Sequence, residues 1–111
     1  MNTSGVSDTI IQSIITTCLN FPTVHRVLLY GSRARGDYQQ GSDIDIAIDA
    51  PSMDSNEFSR LWNALDDLPI IYSMDIVHLQ SLKNQPLLNA IRRDERVLWD
   101  ITGENHDRIK N

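Results

Sequence analysis

The chain has 111 residues, enough for one compact domain with a real core and too few for two. Fifteen acidic side chains against ten Lys and Arg leave a formal net charge of -5, so the overall field gives no nonspecific attraction to nucleic acid, and any such contact would be local. Cys18 stands alone and excludes an internal disulfide framework, while no apolar stretch approaches the ~20 residues of a membrane span and "MNTSGVSDTI" lacks the pattern of a signal peptide.

These features lead to the expectation of a soluble cytoplasmic protein. In chain order, "SDTIIQSIITTCL" spaces Ile10, Ile11, Ile14, Ile15, Cys18 and Leu19 at helical intervals, with Ser7 or Asp8 available as N-cap. "HRVLLYG" reads as a strand ending at Gly31, "DIDIAID" as a second strand, and Asp54 to Leu68 as a helix stopped by Pro69. "IIYSMDIVHL" is a third strand, "PLLNAIRRDE" a helix opened by Pro86, and "RVLWD" a closing edge strand. Residues 104–111 lack apolar periodicity and are expected to be a disordered tail. Alternating helices and strands predict an α/β (α+β) domain, a small mixed sheet covered by helices.

The second strand is unusual because it carries acids among isoleucines. Side chains alternate along a strand, so Asp43, Asp45, Ala47 and Asp49 share one face and Ile44, Ile46 and Ile48 the other. Asp43 and Asp45 would stand about 7 Å apart at their Cα atoms, within reach of one divalent cation. A one-face-exposed strand can also carry alternating acids simply as its wet side. The upstream "GSRARG" shifts the balance: Gly31 permits close backbone approach, and Ser32 offers a hydroxyl and an N–H at the start of a short helix, a turn suited to phosphates. Alone, that hexapeptide is equally an ordinary strand-to-helix turn with Ser32 as N-cap.

Together, Gly31, Ser32, Ala34, Arg35, Gly36, Ser42, Asp43 and Asp45 resemble the signature of the DNA polymerase beta-like nucleotidyltransferase superfamily, most closely its minimal members, the MNT antitoxins of HEPN proteins. The resemblance implies a polymerase-beta-like fold over residues 1–103 and a third carboxylate on a later strand. Asp75 is the acid inside the third strand and takes that place, whereas Asp66 and Asp67 close a helix. By similarity Asp43, Asp45 and Asp75 would be catalytic and would hold two Mg²⁺ ions, with ATP or another nucleoside triphosphate as substrate. Gly31, Ser32, Arg35 and Ser42 would bind the nucleotide, and the roles of Arg33 and Asp49 stay open.

The implied reaction is transfer of AMP to an acceptor hydroxyl on a small helical HEPN partner, with release of pyrophosphate and a hetero-oligomer as the working form. Two alternatives stay open: an antitoxin that binds nucleotide and acts by contact alone, and a catalytic subunit that modifies a small molecule. His25, His78 and His106 are not paired at ligand spacing and read as surface or structural, and Trp62 and Trp99 as core or interface anchors.

Overall fold

A computed structural model describes residues 4–103, and three of its helices begin where the sequence supplies a cap. Ser7 accepts from the Ile10 N–H at 3.3 Å and opens α1 (Asp8–Leu19). Asp54 accepts from Glu57 at 2.8 Å and opens α3 (Ser55–Asp66); Asn84 accepts from Leu87 at 3.1 Å and opens α4 (Gln85–Asp94). Pro86 occupies the second position of α4 rather than the first, because Asn84 takes the cap and Gln85 follows it. The short α2 (Ser32–Arg35) starts differently: its cap is Gly31, which brings no side-chain bond, so Ser32 is not the N-cap.

Four strands, β1 (Arg26–Tyr30), β2 (Ile44–Asp49), β3 (Met74–His78) and β4 (Arg96–Asp100), form one sheet in the order β3-β2-β1-β4. β1 runs antiparallel to β2 and to β4, while β2 and β3 are parallel and joined through α3. The mixed sheet and the edge position of β4 agree with the sequence reading. Two strand starts differ from it. β2 begins at Ile44, leaving Asp43 just outside, and β3 begins only at Met74, where the ladder opens with the Ile44 N–H on the Ser73 carbonyl at 2.9 Å.

Ile14 and Cys18 of α1 and Leu61 and Leu65 of α3 bury one sheet face against Val27, Leu29, Ile44, Ile46, Ile48 and Ile76. Burial pushes the Cys18 thiol up to about 12, the state of an inert core cysteine. The opposite face is covered too, with Ile91 of α4 lying over Leu28, Tyr30, Ala47 and Val97. Ala47 is therefore core rather than part of a wet face, and the acids of β2 lie to either side of an α4-covered patch. Among the described residues no helix is long and apolar enough to cross a membrane. Residues 104–111 and His106 lie outside the described residues.

Candidate active site

β1 ends at Tyr30 and the chain turns sharply at Gly31, with φ 75° and ψ -156°, a region in which only glycine is comfortable. The need for glycine is double, because a Cβ built there would run into the Asp45 carboxylate. Asp45 thus lies directly against the Gly31 backbone. Ala34 and Arg35 both donate to the Gly31 carbonyl, at 3.1 and 3.0 Å, which leaves the N–H groups of Ser32 and Arg33 without an intrahelical acceptor. The Ser32 hydroxyl makes no hydrogen bond to another described residue. Donors and a deprotected backbone therefore meet a carboxylate at one turn.

Asp45 pairs in register with Asp75 across the parallel β2–β3 ladder and with Tyr30 across the antiparallel β1–β2 ladder. Asp45 is half-buried, while Asp43 and Asp75 are exposed. Burial, then the Asp75 charge, then that of Asp43 push the Asp45 carboxyl up to about 6, against the weaker opposing pull of Arg35 and Arg33. Among the described residues no three His, Cys, Asp or Glu side chains already form a closed ligand cluster. The acids fit a hard divalent cation such as Mg²⁺ nonetheless: the donors are all carboxylate oxygens, they repel one another, and no described residue donates a hydrogen bond to the side-chain carboxylates of Asp43, Asp45 or Asp75.

Two arginines of α2 have separate fates. Arg33 is 2% exposed and donates through Nε and Nη2 to the Ser42 carbonyl at 3.1 and 2.9 Å and through Nη1 to the Ser4 carbonyl at 2.8 Å. Its guanidinium is sandwiched between the rings of Tyr38 and Tyr72, 4.7 and 4.8 Å from their centroids. Far from a solvated side chain, it is a buried hub gripping the peptide that precedes Asp43. Arg35 is tied to Asp37 at 3.0 Å and to Asp94 of α4 at 2.9 Å. Ser42 accepts from the Gln39 N–H at 2.9 Å, so its hydroxyl shapes the loop before β2.

Among the described residues, buried side-chain polar atoms other than the Tyr30 hydroxyl have partners within the fold. His78 stacks on Phe58, and its Nε2 lies 2.9 Å from the Ala50 carbonyl and its Nδ1 2.8 Å from the Ser81 hydroxyl. A carbonyl only accepts, so Nε2 carries the proton and the ring is structural. Tyr30 is the exception. Its hydroxyl is the one buried side-chain polar atom without a hydrogen-bond partner among the described residues, and burial followed by the Asp75 and Asp45 charges raises its phenol above the ordinary value.

A family model described as "Polymerase beta, Nucleotidyltransferase" matches residues 12–103. The chain belongs to this nucleotidyltransferase family. Solved structures agree, and several of the neighbours are antitoxins of the MNT type paired with HEPN toxins. A chain of a toxin-antitoxin complex with AMP-PNP superimposes with a TM-score of 0.62 at 27% identity, over 81% of this chain and 73% of that one. A chain of the MntA-HepT toxin-antitoxin gives 0.57 at 25% identity, over 85% and 73%. A chain of the complex between a tri-AMPylated Shewanella oneidensis HEPN toxin and its MNT antitoxin gives 0.56 at 26%, over 83% and 71%. No curated protein matches the chain.

In this member of the nucleotidyltransferase family the sequence reading drew attention to Gly31, Asp43, Asp45 and Asp75, and the fold brings Gly31, Asp45 and Asp75 together with Asp43 at the entry to β2. It missed Arg33 as a hub and Tyr30 as an orphan. An aromatic beside the Gly31 turn reads equally as packing or as a border for a nucleotide base, and nothing local signals that Tyr72, 39 residues away, closes over Arg33.

Proposed function

We propose that this chain transfers AMP from ATP to a hydroxyl of a HEPN-type partner protein, as the antitoxin of a toxin-antitoxin pair. The observation that carries this reading is the register match of Asp45 and Asp75 beside the Gly31 turn, which collects carboxylates where a phosphate-binding backbone begins. The AMPylated toxin held by a structural neighbour supports the choice of donor and acceptor.

In this reading Ser32 and the free N–H groups of α2 hold the β- and γ-phosphates. Asp43, Asp45 and Asp75 hold two Mg²⁺ ions, which when bound neutralise the triphosphate and stabilise the entering and departing oxygens. Asp75, exposed at the sheet edge, faces the acceptor and receives its proton. The acceptor oxygen bonds to the α-phosphorus, the bond from that phosphorus to the bridging oxygen breaks, and pyrophosphate leaves.

Two observations favour a second reading, an antitoxin that neutralises by contact. The acids are not already closed into a cluster, and Arg35 is engaged with Asp37 and Asp94. Incubation with α-labelled ATP, Mg²⁺ and the protein encoded next to it separates the two. Transfer predicts covalent label on the partner, lost in Asp43→Asn and Asp45→Asn. Full neutralisation by those variants, with no label under any nucleotide, selects contact instead.

A further inference from the structure

A buried hydroxyl without a partner is rare in folded proteins, since its lost hydration is not repaid. Tyr30 holds one at the centre of the candidate site. Its ring packs in the α4-side cluster with Leu28, Ala47, Ile91 and Val97, so the ring alone explains why an aromatic is there. The hydroxyl needs another explanation, because phenylalanine would fill the same space without the penalty. β1 and β2 place Tyr30 opposite Asp45, and β2 and β3 place Asp45 beside Asp75, so the three share one sheet face. The carboxylates whose charges act on this phenol are Asp75 and Asp45, the two that share its sheet face and are assigned to cation binding.

Resting on the reading above, we propose that Tyr30 is a positioning residue whose hydroxyl donates to the Asp45–Asp75 pair once nucleotide is bound. It holds one carboxylate oxygen so that the other faces the cation. In the ligand-free protein the hydroxyl is idle and slightly destabilising; loading the site gives it an acceptor. This division between the two states separates a positioning role from a structural one.

Tyr30→Phe is the test, beside wild type and Asp45→Asn. Thermal melts of the ligand-free proteins should place Tyr30→Phe level with wild type or above it. Calorimetric titration with AMP-PNP at a series of Mg²⁺ concentrations should show half-saturating Mg²⁺ raised roughly tenfold, the scale of one charge-assisted hydrogen bond. A melting temperature below wild type would mean that the hydroxyl already has a structural partner, and unchanged Mg²⁺ dependence would mean that it does nothing; either overturns the proposal. If wild type takes up AMP-PNP with Mg²⁺ and Asp45→Asn does not, the parent reading survives whatever Tyr30→Phe shows. If wild type shows no Mg²⁺-supported uptake, both fall.

Discussion

Asp49 and Asp45 stand on one strand and one sheet face, yet Asp49 accepts from Arg26 at 2.7 Å on one oxygen and from Gln80 at 2.6 Å on the other, while the Asp45 carboxylate has no hydrogen-bond donor among the described residues and lies beside Asp75, Asp43 and the Gly31 backbone. The same contrast extends to their neighbours. Near Asp49, both ring nitrogens of His78 are satisfied; near Asp45, neither the Tyr30 hydroxyl nor the Ser32 hydroxyl has a hydrogen-bond partner among the described residues. One end of β2 has its polar groups balanced within the chain, as a fold needs. The other is left unbalanced, and that is where a ligand can bring what the protein lacks.

The sharpest way to break this contrast is Gly31→Ala. The residue would be forced into a glycine-only conformation, at about 1–3 kcal/mol, and its methyl would displace Asp45. Labelled-AMP transfer should fall by roughly a hundredfold or more, with a lowered melt in the same preparation. Arg33→Lys comes next. A lysine keeps the charge but not the fork or the stacking, and denaturant titration should show a loss of about 2–3 kcal/mol.

Proton linkage offers a subtler comparison. Native Asp45 keeps its proton up to about 6, against an ordinary value of 3.8, so between those values the folded protein binds more protons than the unfolded chain. Stability should therefore fall as pH rises through that window, the penalty being absent below it and complete above. Asp45→Asn should flatten this slope in melts taken between about pH 4 and 7 and melt above wild type at neutral pH. Asp49→Asn should do least: its partly exposed ion pair is worth about 1 kcal/mol or less, and transfer should stay within about twofold of wild type.

Much of this was legible from local signals. Apolar spacing marked α1 and α3, Asp54 announced its helix, and alternation set the acids of β2 apart from its isoleucines. What escaped depended on contacts between distant segments. The start of β3 is set by where β2 begins to pair with it, which no run of residues around Tyr72 reveals. Nothing local marks Arg33 as a buried hub, because its cage comes from Ser4, Tyr38, Ser42 and Tyr72, brought together only by the finished fold. Ala47 looked like part of an open face until α4 was seen to cross it.

The grip of Arg33 on the Ser4 carbonyl has a practical side for anyone handling the protein. The stretch ahead of α1 is fastened, through one guanidinium, to the peptide that delivers Asp43, so trimming that stretch or fusing a bulky tag against it would slacken the loop before β2 from a distance. A weakened transfer reaction in such a preparation should be read first as a loosened aspartate.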